Sequence, residues 1–159
     1  MKDAVSYGNA DASDQRIRLA VDVAQASAFV DSREEGLDAY LSQGGTNVSG
    51  GQRQRLAIAR ALATDARAFL FDDSFSALDY KTDAALRQAL ADNLGGKTVL
   101  IVAQRISTIM NADRIVVLDE GRMAGCGTHA ELMASCPEYR EIAQSQLSAE
   151  ELEGGVRHE

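Results

Sequence analysis

Two short apolar segments separated by a helix-length stretch constrain the fold of this chain most strongly. AFLFD (Ala68–Asp72) and TVLIVA (residues 98–103) are apolar runs without polar–apolar alternation. Such runs are typical of strands that are covered on both faces, and therefore of a parallel sheet. Residues 80–94 lie between them and predict the crossover helix that parallel strands require, ended by Gly95 and Gly96. The sequence therefore predicts an α/β fold.

Helices are expected before this unit. The first begins at Ser13, with an inner face formed by Ile17, Ala20, Val21, Ala24 and Ala28. The second begins at Ser49, with Leu56, Ala59 and Ala63 facing inward. Residues 1–12 show no strong period, and residues 31–48 read as a polar loop.

A hairpin and two further helices are expected after it. Residues 114–119 predict a third strand, which turns at Glu120, Gly121 and Arg122 into a short edge strand near Arg122–Gly127. Thr128 and Glu131 have capping-box spacing and open a helix. A last helix runs from Pro137 to about Leu147. His129 is expected to be a surface helix residue without a catalytic role.

Composition narrows the class of protein. The chain has 159 residues, 45% of them hydrophobic and 25% charged, which suits one globular domain. Its net charge of −8 gives no support for nucleic-acid binding. The longest apolar run is about six residues, far below the ~20 that cross a bilayer. Cys126 and Cys136 match no metal-site spacing and are expected to be free thiols of a cytosolic protein.

Two adjacent carboxylates, Asp72 and Asp73, end the first predicted strand. Open α/β sheets bind ligands at the carboxyl ends of their strands. An aspartate there commonly holds Mg²⁺, and a second acid can orient or deprotonate an attacking water. On this stretch alone, the alternative is that both acids cap the turn together with Ser74 and Ser76.

A serine and two glycines open the helix that begins at Ser49. The first amides of a helix have no internal partners, and the helix dipole adds positive charge there. Gly50 and Gly51 let the backbone approach a ligand closely. The stretch therefore predicts a phosphate site, with an ordinary N-cap as the alternative.

These motifs together resemble the nucleotide-binding domain of ATP-binding cassette (ABC) transporters. VSGGQ (residues 48–52) resembles the signature motif, FLFD (residues 69–72) the Walker B strand, SALD (residues 76–79) the D-loop and IVAQRIST (residues 101–108) the H-loop region of exporters. DEGR (residues 119–122) and GTHAEL (residues 127–132) match the exporters' C-terminal run. The similarity covers nearly the whole chain, in the expected order.

The resemblance implies a partial P-loop NTPase fold, with parallel strands and a helical signature subdomain. It implies an ATP- and Mg²⁺-binding portion of a multidrug- or lipid-exporter-like protein. Its partners would be a second nucleotide-binding domain and a transmembrane domain, with no nucleic acid, at the cytoplasmic face of the cell membrane. The fragment itself is expected to be soluble. By resemblance, the signature subdomain spans about residues 13–66, the α/β part about 67–147, and a tail 148–159.

The resemblance also assigns roles to individual residues. Four would contact the γ-phosphate of ATP held by the partner domain: Ser49, Gly50, Gly51 and Gln52. Asp72 would serve Mg²⁺ at the chain's own site. Ser76 and Asp79 of the D-loop would serve nucleotide binding, with Asp79 bridging the two sites. Arg53, Gln54 and Arg55 either continue the signature helix or form a solvated helix face.

Three departures from the family weaken the chain's own site. No GxxxxGK[ST] stretch occurs, so the phosphate-cradling Walker A loop and its strand are missing. Asp73 stands where active members carry glutamate, which withdraws the carboxylate by ~1.5 Å. Gln104 replaces the switch histidine and cannot titrate. We therefore expect the degenerate half of a heterodimeric exporter, inactive as an isolated chain.

One further difference from the family concerns coupling to the transmembrane partner. The loop LSQGG (residues 41–45) lacks the glutamate that exporters usually carry near Gln43, which bears on contact with the transmembrane partner. The alternatives to an exporter subunit are a non-enzymatic remnant that binds a partner and a soluble ABC-type ATPase that acts on ribosomes or DNA. SALD and QRIST favour the exporter.

Overall fold

The structure is a computed structural model that describes residues 1–148. The chain divides into two compact units: the first is Met1–Val102, and the second begins at Ala103. This division lies elsewhere than the boundary predicted near residue 66 between the signature subdomain and the α/β part, which stays a prediction. The predicted tail lies, from residue 149 on, outside the described residues.

Helices form the first part of the first unit. They are α1 (Lys2–Ser6), α2 (Asp14–Val23), α3 (Ser27–Asp31) and α4 (Gly50–Leu62), with 3₁₀ turns at Gly36–Asp38 and Gln43–Gly45. The Ser13 hydroxyl accepts a hydrogen bond from the Arg16 amide and caps α2, as predicted. Gln25 has φ 56° and interrupts the helix there. The expectation that Ala28 lies on the inner face is therefore wrong, because Ala28 belongs to α3 and is exposed.

Helix α1 lies in the stretch for which the sequence showed no period. Val5 is fully buried, and Arg60 Nε of α4 donates a hydrogen bond to the Ala4 carbonyl oxygen at 2.7 Å. The charged amino group of Met1 donates to the Ala39 carbonyl oxygen at 2.6 Å. Contacts with residues distant in sequence thus hold a helix that is too short to be stable on its own.

A parallel strand pair follows, as predicted. Strand β1 (Ala68–Asp72) pairs with β2 (Thr98–Val102), and helix α5 (Tyr80–Asn93) connects them. The register places Phe69 opposite Val99 and Asp72 opposite Val102. The β–α–β unit therefore brings the carboxyl ends of both strands to the same edge.

Only one face of this strand pair is covered within the first unit. Phe69 and Phe71 are buried against the core, whereas Leu70 is 65% exposed. Leu100 and Val102, which share the face of Leu70, are 58% and 50% exposed. The prediction that both strands are covered on both faces is thus wrong for the described residues. The core of the unit is built from the helices and the Phe69 face and includes Ile17, Val21, Val30, Leu56, Ile58, Leu86 and Leu90.

The second unit contains a hairpin and three helices in its described part. These are α6 (Ile106–Ile109), β3 (Ile115–Asp119), β4 (Arg122–Gly127), α7 (His129–Ser135) and α8 (Pro137–Gln146). The two strands are antiparallel, and Glu120 (φ 43°) and Gly121 (φ 75°) form the two-residue turn that matches strand twist.

Most predicted features of the second unit are present. The strand, edge strand and two helices fall within a residue or so of their expected bounds, and the Thr128–Glu131 capping box is formed. Helix α6 was not expected. His129 lies half-buried at the start of α7, with Nδ1 at 2.8 Å from the hydroxyl of buried Tyr139.

Candidate functional site

A reciprocal capping box fixes the N-terminus of α4. The Ser49 hydroxyl accepts a hydrogen bond from the Gln52 amide at 3.2 Å, and the Gln52 side-chain oxygen accepts one from the Ser49 amide at 3.0 Å. The hydroxyl still has its own proton to donate. The amides of Gly50 and Gly51 belong to the first turn, where a helix provides no internal acceptor. An anion placed here would meet a preorganised set of donors and the positive end of the helix dipole.

The two glycines differ in their surroundings. A Cβ on Gly50 would meet only the Ala77 Cβ at 3.9 Å, an ordinary contact. A Cβ on Gly51 would lie 3.0 Å from the Ala77 carbonyl oxygen. Gly51 therefore permits a close approach between α4 and the turn after β1, and Gly50 leaves the outer side of the helix start open.

The two predicted carboxylates lie at the last residue of β1 and the first residue of the turn that follows it, residues 73–77. Asp72 and Asp73 are both exposed. The Asp73 amide donates to the Val102 carbonyl oxygen at 3.1 Å, and the Ser76 hydroxyl donates to the Asp73 carbonyl oxygen at 2.9 Å. Ser74 donates to the Asp72 carbonyl oxygen at 3.2 Å. Serine hydroxyls and backbone groups thus make these turn contacts, in place of the aspartate caps considered as the alternative.

Asp73 has a left-handed backbone, with φ 47°. This conformation is uncommon outside glycine and is most readily adopted by asparagine and aspartate. The identity of this second acid therefore has a local conformational reason in addition to any chemical one.

Asp72 offers a carboxylate of the type that Mg²⁺ prefers. Between residues 1 and 148, no three His, Cys, Asp or Glu side chains converge closely enough to hold a metal ion. Mg²⁺ is commonly bound through one or two carboxylates while waters and phosphate oxygens complete its octahedron. A single exposed carboxylate therefore fits this ion together with a nucleotide, and does not form a metal site by itself.

Asp79 ends the segment after the turn and caps α5. Its carboxylate accepts hydrogen bonds from the Thr82 amide at 2.9 Å and from the Thr82 hydroxyl at 2.8 Å. These bonds, the backbone one first, hold the pKa of Asp79 below its ordinary value. Asp79 is exposed and therefore remains charged at neutral pH while it is oriented by the helix start.

The three residues after the signature stretch do not form a uniform solvated face. Arg55 is half-buried: Nη1 donates to the Gln25 carbonyl oxygen at 2.6 Å, and its guanidinium lies 5.1 Å from the Phe29 ring centre. Burial lowers the pKa of Arg55. Arg53 is exposed and donates to the Gly44 carbonyl oxygen at 3.1 Å.

Gln54 contacts the turn after β1 directly, although the sequence alone is equally consistent with a solvated position for it. Its side-chain amide bonds to Asp73, Ser76 and Ala77. The spacing in the sequence was a usable signal. Gln54 lies three residues after Gly51 and four after Gly50, so it shares a helix face with both glycines.

Gln104 lies in the second unit, between β2 and α6, and is exposed. Its carbonyl oxygen accepts a hydrogen bond from Gln146 Nε2 at 2.8 Å, and Gln146 Oε1 accepts one from the Ile106 amide at 2.9 Å. Helix α8 thereby holds the backbone of the segment that carries Gln104.

Comparison with known proteins identifies ABC transporter proteins among the relatives of this chain. A family model described as ABC transporter matches residues 6–76. An uncharacterized ABC transporter ATP-binding protein of Mycobacterium tuberculosis is 48% identical over 138 residues, which are 86% of this chain and 23% of that protein. The ATP-dependent lipid A-core flippase of Hahella chejuensis is 42% identical over 145 residues, 91% of this chain and 25% of the flippase.

A solved structure agrees in fold. A bacterial Atm1-family ABC exporter with ATP bound superimposes with a TM-score of 0.86 at 32% identity, over 93% of this chain and 26% of the exporter chain. The chain thus spans about a quarter of the length of each of these three proteins. None of the helices described here is both long and apolar enough to cross a membrane.

Proposed function

The chain belongs to the ABC transporter family as part of an ATP-binding domain, and on that premise we propose that it completes the ATP site of a second such domain. Ser49, Gly50, Gly51 and Gln52 would bind the γ-phosphate of ATP that the partner holds. The observation that carries this proposal is the capping box at α4, which orients a hydroxyl donor and first-turn amides at one exposed helix end.

The chemistry asked of these residues is electrostatic. Charge on a transferring phosphoryl group spreads over its outer oxygens, so donors that are already fixed stabilise it without reorganisation. Ser49 would donate its hydroxyl proton, and the Gly50 and Gly51 amides would donate along the axis of α4. Bound ATP supplies the phosphoryl group, and the partner supplies the loop that cradles it.

The chain's own residues would contribute a weakened site. Asp72 would hold Mg²⁺, and Ser76 and Asp79 would contact nucleotide across the pair of domains. Asp73 and Gln104 stand at the positions of a glutamate and a histidine in active relatives. We therefore propose slow turnover there, as in the degenerate half of a heterodimeric exporter. Because the chain contains no GxxxxGK[ST] stretch, we also propose that it hydrolyses no ATP alone.

The parent protein is proposed to be an exporter at the cytoplasmic face of a membrane. The Atm1-family exporter and the lipid A-core flippases among its relatives support this proposal. The transmembrane domain of that protein would be a second partner.

One observation favours a second candidate function, a non-enzymatic module that binds a partner. The outer face of the strand pair exposes Leu70, Leu100 and Val102. This alternative predicts association that depends on these apolar side chains and is indifferent to Ser49 and to ATP.

ATP turnover in a reconstituted pair tests the proposal. The partner is an intact ABC ATP-binding domain whose own signature serine has been replaced, so that pairs of identical partners are inactive. Adding the 159-residue chain is expected to restore turnover, and Ser49→Ala is expected to abolish the restoration. Gln88→Ala, an exposed substitution on α5, is the matched control and should restore turnover fully. Equal restoration by Ser49→Ala would contradict the proposal.

A further inference from the structure

One glutamine side chain joins α4 to the turn after β1. Gln54 Nε2 donates to the Asp73 carbonyl oxygen at 3.3 Å and to the Ser76 hydroxyl oxygen at 3.1 Å. Gln54 Oε1 accepts a hydrogen bond from the Ala77 amide at 3.0 Å. The amide thus uses both its donor and its acceptor on residues 73–77, which lie about twenty positions away in the sequence.

The contact lies beside a close approach that leaves little freedom. Gly51, on the same face of α4 as Gln54, would bring a Cβ to within 3.0 Å of the Ala77 carbonyl oxygen. Glycine provides the space there, and the glutamine amide provides the attraction. Together they fix the distance between the start of α4 and Ala77.

The same amide supports the unusual backbone of Asp73. A left-handed conformation outside glycine persists when its surroundings hold it in place. The Asp73 amide is bonded to Val102, and its carbonyl oxygen accepts from both Ser76 and Gln54. Through Gln54, α4 bonds directly to this residue.

We propose that Gln54 is a positioning residue that locks the start of α4 to the segment carrying Asp73 and Asp79. In the proposed function, on which this inference rests, Ser49 serves the partner's ATP, Asp73 serves the chain's own site, and Asp79 bridges the two sites. Gln54 then makes one rigid body of the groups that contact two nucleotides. A displacement of either would be passed to the other through the Gln54 side chain and the close approach of Gly51 to Ala77.

The first test is amide hydrogen exchange in the 159-residue chain. Gln54→Ala removes the acceptor of the Ala77 amide, and exchange at Ala77 is expected to accelerate about fivefold or more, the factor that one net hydrogen bond represents. Gln54→Glu keeps the acceptor for the Ala77 amide but loses the donor to Asp73 and Ser76, so protection at Ala77 should persist at least in part. Gln88→Ala, which loses only an exposed bond to Asp92, is the matched control.

The second test separates positioning from folding. In the reconstituted pair, turnover is measured against chain concentration. A substitution that only destabilises the chain raises the chain concentration at which turnover is half-maximal. It leaves the maximal turnover, the plateau of the titration, unchanged. Mispositioning of donors lowers the plateau, and Gln54→Ala is expected to lower it about tenfold. Gln54→Glu, which keeps the Ala77 contact and loses the donor to Asp73, is expected to recover only part of that loss.

The outcomes are distinguishable. A lowered plateau with faster Ala77 exchange in Gln54→Ala, and partial recovery of both in Gln54→Glu, supports the inference. An unchanged plateau in Gln54→Ala, with the plateau lost in Ser49→Ala, overturns the inference and leaves the proposed function standing. If Ser49→Ala also restores full turnover, the proposed function fails and the inference fails with it.

Discussion

Gly51 and Ala77 approach so closely that a Cβ on Gly51 would lie 3.0 Å from the Ala77 carbonyl oxygen. Alanine normally stabilises a helix relative to glycine. Here we expect Gly51→Ala to lower the free energy of unfolding by about 1 kcal/mol, because the added methyl group forces α4 and the turn apart. Gly50→Ala is the control, since its Cβ has room, and should leave stability unchanged or slightly higher. Urea unfolding measures both, and a Gly51→Ala variant as stable as Gly50→Ala would refute the close contact.

Asp83 is a buried acid held by one ion pair. It is 1% exposed, and one carboxylate oxygen lies 3.1 Å from Arg87 Nε. Within the described part of the chain, the other oxygen has no hydrogen-bond partner. Removing the arginine would leave an unpaired buried carboxylate, so Arg87→Met is expected to lower the free energy of unfolding by about 3 kcal/mol.

Two controls isolate this effect. Asp83→Asn combined with Arg87→Met should regain part of the loss, because a neutral amide is less unfavourable to bury than a charge. Lys2→Met, which breaks the exposed pair with Asp14, should change stability little. Equal effects of Lys2→Met and Arg87→Met would argue against a special role for Asp83.

The charge of Asp79 should make stability depend on pH at the acidic end. Hydrogen bonds from Thr82 lower the pKa of the folded-state carboxyl below its ordinary value of 3.8. The stabilisation is therefore fully present above the unfolded-state pKa and is lost as the pH falls through the folded-state pKa. Asp79→Asn keeps a capping oxygen but has no charge to titrate.

The difference in urea midpoint between wild type and Asp79→Asn isolates this contribution. It should be constant from about pH 7 to the onset of carboxylate titration and should shrink below that. A difference that stays the same down to the most acidic measurable pH would contradict the role of the charge.

Asp73→Glu should raise ATP turnover and slightly lower the stability of the fold. The longer side chain advances the carboxylate by ~1.5 Å toward the position that the family resemblance assigns to a glutamate in active members. In a transporter that carries this segment, ATP turnover is therefore expected to rise, and further with Gln104→His. Stability should fall slightly, since glutamate adopts the left-handed backbone less readily than aspartate. Asp73→Asn keeps the backbone preference without the carboxylate and should show no gain in ATP turnover. If Asp73→Glu also showed no gain in turnover, the result would count against the account.

Local chemistry in the sequence was sufficient to predict most elements. Ser13, Ser49 and Thr128 each cap a helix that begins at the next residue, because a side-chain oxygen at that position satisfies first-turn amides. The unbroken apolar runs gave the parallel pair β1 and β2. The same runs led to a wrong expectation about coverage, since periodicity reports what a face could bury and the chain described here leaves the Leu70 face exposed.

Long-range contacts explain what the sequence did not predict. Helix α1 depends on Arg60 and on contacts made by Val5, and neither follows from residues 1–12. The three bonds of Gln54 depend on how α4 and the turn after β1 are placed, which no local pattern specifies. The roles of the signature residues, Asp72 and Asp79 likewise rest on the family, and they stay predictions.

Calorimetry of ATP binding with Mg²⁺ tests the central claim most directly. Three titrations are compared: the 159-residue chain alone, an intact ABC ATP-binding domain alone, and the two together. The account predicts that the chain alone binds no ATP. It also predicts that the intact domain binds ATP more tightly when the chain is present, while the stoichiometry stays at one ATP per intact domain. The gain should disappear with Ser49→Ala. Binding of ATP by the chain alone, or an affinity of the intact domain that the chain does not alter, would contradict the claim that this chain completes a site held by its partner.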